Sequence, residues 1–196
     1  MQWMKQQAEM NSGVTEAESQ HVEDLYEKIG KDTFLQLSQK FYDRVYEDEQ
    51  WFKDIFAGKP KDMAIRNQSE FFMQRMGGPT LYTDRKGGQT LISRHKTWRV
   101  DKPAAERWLW HMEEVIKTLD LDADVKERMM KFFKHTAYLL VAAKEVMNKK
   151  KEEHPPEVTP KGDDIILRGS SEARTPGRTS PEGRGIPMET EPSGST

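Results

Sequence analysis

The chain has 196 residues, of which 33% are charged, and its acidic and basic side chains nearly cancel at a formal net charge of −2. This length suits one folded domain with extensions, and the balanced charge and the lack of a long apolar run argue against nucleic-acid or membrane binding. The absence of cysteine excludes disulfides, iron–sulfur ligation, thiolate ligation of haem and covalent haem attachment.

Residues 1–13 are predicted to form an N-terminal extension. They lack the apolar stretch of about 7–15 residues that a secretory signal requires, and a glutamate among them argues against a transit peptide, so we expect a cytoplasmic location. Thr15 and Glu18 have the spacing of a capping box, which predicts the start of a first helix. Gly30 is expected to end that helix.

An amphipathic pattern predicts the next helix, which Asp32 or Thr33 can cap at its start. Its apolar residues recur at spacings of three and four: Phe34, Leu37, Phe41 and Val45. A short apolar turn is expected at residues 51–56.

Pro60 suits the first turn of a further helix, which Gly77 and Pro79 are expected to end. One face of this helix carries Ala64, Gln68, Phe71 and Arg75. Residues 80–88 are predicted to form a loop, and residues 89–96 leave room only for a short helix.

Asp101 and Pro103 are typical of the start of a long helix. Its apolar stripe consists of Ala105, Trp108, Met112, Ile116 and Leu119. A last helix is expected to begin near Asp122, and it directs an apolar set toward the core: Val125, Met129, Phe132, Leu139 and Ala143. These patterns predict an all-α fold, with residues 14–148 as the folded domain.

The composition changes after Asn148. Residues 149–196 contain most of the chain's ten prolines, many Gly, Ser and Thr residues, and no aromatic residue. Such a segment buries too little apolar surface to offset its ordering entropy, so we predict a disordered low-complexity tail. Its apolar triplet at 165–167 is either a short docking motif or an incidental feature of a linker.

The histidines are the candidate metal ligands or catalytic residues of this sequence. Glu18 and His21 have the spacing of half a di-iron site, but no second such motif occurs, so a solvated helix face is expected. His111 and His135 are interpreted as partly exposed residues of long helices. His95 closes the short helix between a glycine loop and an aromatic segment, a setting that by itself does not distinguish a metal ligand from a packing residue.

Several segments, in order, resemble the group II truncated haemoglobins, and the plant and green-algal forms in particular. They are Tyr42, residues 71–79 (FFMQRMGGP), residues 91–95 (LISRH), residues 105–109 (AERWL) with Met112, and residues 130–142. The resemblance covers roughly residues 21–147. It implies a two-over-two helical sandwich around a b-type haem. Gly88-Gln89 and Thr97-Trp98 depart from the family's common residues, which affects the expected shape of the haem edge.

The resemblance also implies residue roles. His95 stands at the position of the proximal iron ligand, and Phe56 at that of an aromatic ring on the haem face. Arg94 is a candidate partner of a haem propionate, with Tyr82 and Arg99 as weaker ones. Further implied pocket residues are Phe71, Phe72, Leu91 and Met112.

On the distal side, Tyr42, Gln68 and Trp108 occupy the family's polar positions and each offers a hydrogen-bond donor. Ala64 stands where many globins have a distal histidine. The resemblance therefore implies a protein that binds O2, NO and CO. Both a monomer and a homodimer are compatible with the sequence. Two alternatives stay open: a haem enzyme for NO dioxygenation or nitrite reduction that needs an external reductase, and a haem-free helical interaction domain.

Overall fold

A computed structural model describes residues 1–153 of the protein. Within that range it has nine α-helices, one 3-10 turn and no strand. The helices are α1 (Gln2–Ser12), α2 (Glu16–Gln20), α3 (Leu25–Tyr46), α4 (Gln50–Lys53), α5 (Lys61–Arg75), α6 (Leu81–Lys86), α7 (Leu91–His95), α8 (Lys102–Lys117) and α9 (Ala123–Glu153), and the 3-10 turn is Asp54–Phe56. The triplet at 165–167 and the rest of the predicted tail beyond residue 153 lie outside the described residues.

Four long helices form the body of the fold. Helix α3 packs against α5 and α8, and α8 packs against α9, which gives two pairs of helices. The short α6 lies against α5, and the short α7 lies against α9. The predicted all-α fold is confirmed.

The predicted apolar stripes of α3, α8 and α9 form part of the core. Helix α5 instead buries Phe72 and Met73, and its face with Ala64, Gln68 and Phe71 is only half-buried. Phe34, Leu37, Phe41 and Val45 of α3 are all fully buried. The stripe of α8 is buried except for the half-buried Trp108, and that of α9 is buried except for the half-buried Leu139. In α3, α8 and α9, spacings of three and four residues therefore identify the faces that bury apolar surface.

Gly30 interrupts the helical backbone as predicted, because its φ of 73° and ψ of 165° kink α3 between the first turn and the stripe that begins at Phe34. The helix that begins after Thr15 does not reach Gly30, since α2 ends at Gln20. The capping box at Thr15 is confirmed. The helix resumes after Gly30 because the apolar stripe that follows packs into the core. The free energy gained by this burial exceeds the cost of one non-helical residue.

The prediction of a loop at residues 80–88 is wrong, because Leu81–Lys86 forms α6. Two contacts with α5 hold it. Gln74 accepts from the Thr83 backbone N–H at 3.0 Å, and Arg85 pairs with Glu70. These contacts join residues that lie 9 and 15 positions apart, so no periodic pattern within residues 80–88 predicts them.

The predicted end of α5 is confirmed, and close packing at this end explains the glycine at position 77. Gly77 has φ 91°, and a Cβ atom there would lie 1.6 Å from the Glu23 carbonyl oxygen. The Tyr26 backbone N–H donates to the Met76 carbonyl at 2.8 Å. Only a residue without a side chain lets the end of α5 come this close to the start of α3.

The N-terminal extension contains α1, which packs against α9. Helix α9 itself continues past the predicted boundary at residue 148 to Glu153. His135 is buried and its Nδ1 atom lies 3.3 Å from the Val14 carbonyl oxygen, so the expectation of partial exposure is wrong. None of the helices in residues 1–153 combines the length and the apolar character needed to cross a membrane.

Candidate haem pocket

Aromatic side chains connect the helices in two series that start at Tyr42. In the first series the Tyr42 ring contacts Phe41 at 5.1 Å between centroids, and Phe41 contacts Trp108 of α8 at 5.4 Å. Trp108 contacts Phe133 of α9 at 5.7 Å, and Phe133 contacts Phe72 of α5 at 4.8 Å. This series therefore joins all four long helices.

The first series continues from α5 to α7. Phe72 contacts Phe71 at 5.9 Å, and Phe71 contacts Tyr82 of α6 at 5.4 Å. The Arg94 guanidinium lies over the Tyr82 ring at 5.2 Å. This series reaches α7 at the residue before His95.

The second series is shorter. Tyr42 contacts Phe56 at 6.0 Å, Phe56 contacts Trp98 at 5.9 Å, and Trp98 contacts His95 at 5.6 Å. Both series thus begin at Tyr42 and meet at the end of α7, so they close into one loop of contacts. We call this set the aromatic circuit: Phe41, Tyr42, Phe56, Phe71, Phe72, Tyr82, Arg94, His95, Trp98, Trp108 and Phe133.

His95 has a defined tautomer. Its Nδ1 atom lies 2.8 Å from the Leu91 carbonyl oxygen, and because a carbonyl only accepts, Nδ1 carries the proton. Burial lowers the pKa of His95 by more than this hydrogen bond raises it, and Arg94 nearby lowers it further. The imidazole is therefore neutral near pH 7, and Nε2 keeps a free lone pair, which is the form that ligates iron.

The polar residues predicted for the distal side are also defined. Burial raises the pKa of the Tyr42 phenol above its ordinary value, so its hydroxyl stays protonated and can donate. The Gln68 Oε1 atom is buried and has no hydrogen-bond partner among residues 1–153. A buried amide oxygen without a partner costs free energy and can only accept, so it is suited to meet a donor; any hydrogen bond that Gln68 donates comes from its Nε2 amide group.

The Arg94 guanidinium has one nitrogen that donates hydrogen bonds to the backbone and one that has no partner. Its Nη2 atom donates to the carbonyl oxygens of Lys86 and Gly87, each at 2.7 Å, which holds the segment between α6 and α7. Its Nε atom is buried and has no partner in the described part of the chain. Arg99, one of the two weaker candidates, instead pairs with Asp101 at 2.7 Å.

This donor set fits a haem. The Nε2 atom of His95 is free, and the buried atoms Gln68 Oε1 and Arg94 Nε have no hydrogen-bond partner among residues 1–153. Several large rings of the circuit are only half-buried, although they pack against the core. Residues 1–153 contain no cluster of three or more metal-ligating side chains, and a haem iron held by one histidine needs none. Ala64 is half-buried on α5, and Met112 is fully buried in the core.

Comparisons with known proteins identify the family. The family model described as bacterial-like globin matches residues 24–141. The chain is 48% identical to two-on-two hemoglobin-3 of Arabidopsis thaliana over 162 residues, which cover 80% of this chain and 93% of that protein. A second similar protein, group 2 truncated hemoglobin 3-1 of Lotus japonicus, is 48% identical, and the match covers 76% of this chain and 90% of that protein. The chain belongs to the group 2 truncated haemoglobins.

Solved truncated haemoglobin structures agree with the fold. A haemoglobin from Thermobifida fusca has a TM-score of 0.55 at 29% identity and covers 58% of this chain and 91% of its own. A truncated oxygen-avid haemoglobin from Bacillus subtilis has a TM-score of 0.55 at 32% identity and covers 59% of this chain and 97% of its own. The predicted two-over-two globin fold is confirmed, and membership of this family implies a haem-binding protein rather than a haem-free interaction domain.

Two features of this truncated haemoglobin were missed by sequence analysis. Trp98 lies in the aromatic circuit, whereas the family pattern identifies it only as a departure from the common residues. His111 is 2% exposed, so the prediction of a partly exposed residue is wrong. It lies 2.6 Å from the Asp48 carboxylate, a partner 63 positions away that no local pattern reveals.

Proposed function

We propose that this chain binds oxygen, nitric oxide and carbon monoxide at a b-type haem whose iron is held by the Nε2 atom of His95. The observation that carries the proposal is the hydrogen bond between His95 Nδ1 and the Leu91 carbonyl, which leaves Nε2 unprotonated. When bound, the haem supplies an iron with a coordination position for a diatomic ligand. Since the chain has no cysteine, the haem is held without a thioether bond.

The distal donors in this proposal are Tyr42, Gln68 and Trp108. A diatomic ligand that carries partial negative charge on its outer atom is stabilised by fixed donors in a pocket that excludes water. One hydrogen bond to a charged acceptor contributes about 1.5–3 kcal/mol, or roughly ten- to a hundredfold in affinity. Three donors favour slow oxygen release, and the similar protein from Bacillus subtilis is described as oxygen-avid.

The other pocket residues have supporting functions in the proposal. Arg94 uses its unpartnered Nε atom to bind a haem propionate, because a charged donor and a carboxylate form a strong pair. Ala64 supplies no imidazole from α5, so this position does not close the sixth coordination site. Phe56, Phe71 and Phe72 contribute apolar ring surface to the haem faces, with Leu91, Met112 and Tyr82 around them.

The experiment that tests the proposal is the absorption spectrum of purified protein in the ferric, ferrous and oxygenated forms. We expect a Soret band that disappears in His95→Gly and returns when imidazole is added. His21→Gly is the matched control, because His21 is an exposed histidine, and it should keep the band. Wild-type protein that takes up no haem, or a His95→Gly spectrum identical to that of wild type, would overturn the proposal.

A further inference from the structure

Asp48 is a buried carboxylate that connects the turn after α3 to α8. Its side chain is 4% exposed, and both oxygens accept hydrogen bonds from Arg107, the Oδ2 atom from Nε at 2.9 Å. The His111 Nε2 atom lies 2.6 Å from the same Oδ2. Arg107 and His111 are four residues apart on α8, so they share a face and reach one carboxylate together.

The protonation state of His111 follows from its two partners. The Arg44 Nε atom donates to His111 Nδ1 at 3.3 Å, so Nδ1 is the accepting nitrogen and carries no proton. Nε2 then carries the proton and donates to Asp48. Since both ring nitrogens are engaged, the orientation of the imidazole is fixed.

His111 also touches the neighbours of the distal residues. Its ring stacks on Phe52 at 5.5 Å with an interplanar angle of 22°, and Phe52 contacts Phe56 at 5.4 Å. On the other side its ring meets the edge of Phe41 at 6.2 Å, and Phe41 is the ring that separates Tyr42 from Trp108 in the aromatic circuit. One ring therefore separates His111 from the pocket on each side: Phe41 lies between His111 and Tyr42, and Phe52 lies between His111 and Phe56.

We infer that Asp48 and His111 form a buried clamp that positions the distal donors Tyr42 and Trp108. This inference rests on the proposed function. Tyr42 lies on α3 and Trp108 lies on α8, so their separation depends on how the end of α3 is held against α8. The clamp joins these two elements six residues after Tyr42 and three residues after Trp108.

The chemistry of the clamp supports positioning over stability alone. Burying a carboxylate carries a desolvation penalty, and well-packed apolar residues hold two helices together equally well. Directed hydrogen bonds, however, fix the angle and register of the two helices. A distal hydrogen bond weakens steeply when its donor moves or tilts, so a fixed register preserves it.

Two variants of His111 separate hydrogen bonding from packing. His111→Phe keeps a flat ring against Phe52 but loses both hydrogen bonds, and His111→Gln keeps an N–H donor for Asp48. In the haem-loaded protein we expect His111→Phe to raise the oxygen dissociation rate about three- to tenfold and His111→Gln to stay within about twofold of wild type. Lys117→Gln, which breaks only exposed ion pairs on the same helix, should leave the rate unchanged.

The second readout is the C–O stretching frequency of the carbon monoxide complex, which responds to the donors around the ligand and not to global stability. We expect His111→Phe to shift this frequency in the same direction as Tyr42→Phe does. Asp48→Asn should shift it in that direction too, and it serves as the second test if His111→Phe does not fold.

The outcomes distinguish the clamp from the proposed function. If Tyr42→Phe changes rate and frequency while His111→Phe and Asp48→Asn change neither, the clamp is overturned and the proposed function stands. An effect of His111→Gln at least as large as that of His111→Phe would show that the hydrogen bond to Asp48 does not protect the rate, and it would also overturn the clamp. If Tyr42→Phe and Trp108→Phe both have no effect, the distal part of the proposed function fails, and the clamp fails with it.

Discussion

Arg85 and Glu70 connect α6 to α5 through a hydrogen bond of 2.9 Å from the Arg85 Nε atom to the Glu70 Oε2 atom. Glu70 also accepts from Arg66 on its own helix, and its side chain is only 11% exposed. Burial alone would raise the pKa of Glu70, but the hydrogen bonds from Arg85 and Arg66 outweigh it and the net pKa is lowered. The carboxylate therefore stays charged and holds α6, which carries Tyr82, against α5.

Glu70→Gln should destabilise the protein. The substitution removes the charge that Arg85 pairs with and leaves a half-buried guanidinium without its partner. We expect the free energy of unfolding in urea to fall by about 1–3 kcal/mol, below the value for a fully buried pair because Arg66 is exposed. Asp43→Asn, which breaks the exposed pair with Lys61, should change it by less than about 0.5 kcal/mol. Equal losses in the two variants would contradict a special contribution from Glu70.

Gly77→Ala should be among the most destabilising single substitutions in the chain. A positive φ costs a residue with a Cβ atom about 1–3 kcal/mol, and at this position the Cβ would also overlap the Glu23 carbonyl. Gly87→Ala is the matched control, because Gly87 has φ 76° and its Cβ would meet no atom within 4 Å. Thermal and urea unfolding should show a larger loss for Gly77→Ala; a loss no larger than in the control would show that the close approach to Glu23 is readily relieved.

Loss of the Tyr42 hydroxyl should speed oxygen release. We expect the oxygen dissociation rate of Tyr42→Phe, measured by stopped-flow exchange against carbon monoxide, to rise about tenfold or more, and that of Trp108→Phe to rise similarly. Tyr46→Phe is the control, because the Tyr46 hydroxyl donates to the Lys59 carbonyl at 2.6 Å. Unchanged rates in both pocket variants would remove these donors from the binding site.

The stability of the apoprotein should depend on His111 as the pH falls. Burial lowers the pKa of His111 below its ordinary value of 6.5, more than the hydrogen bond with Asp48 raises it. The unfolded chain therefore takes up a proton that the folded protein does not, so the contribution of His111 is fully present above about pH 6.5 and is lost as the pH falls toward the folded pKa. His95 has a lowered pKa too and acts in the same direction.

The measurement is urea unfolding of the apoprotein at about pH 7.5 and about pH 5.5. Each of these histidines should account for up to about 1.4 kcal/mol of the loss between the two conditions, since one pKa unit corresponds to that energy. His111→Gln should remove its share of the loss. A pH dependence identical in wild type and His111→Gln would mean that His111 titrates normally in the fold.

The amino-acid sequence alone was sufficient for the apolar faces of α3, α8 and α9 and for the end of α5. Phe34, Leu37, Phe41 and Val45 are predicted by spacing because the period of a helix is a local property that the core then buries. The glycine and proline after Arg75 end the helix for an equally local reason. The family resemblance added the site residues, since His95 by itself had an ordinary packing interpretation.

Only the tertiary structure decided the remaining features. Helix α6 depends on Glu70 and Gln74 of α5, and the burial of His111 depends on Asp48 across 63 positions. Such contacts form between segments whose separation in space is set by the packing of α3, α5 and α8. A local pattern predicts which face of a helix is apolar, because that face repeats along the chain. It does not predict which charged side chain on one helix meets which partner on another, because that pairing exists only after the helices have packed.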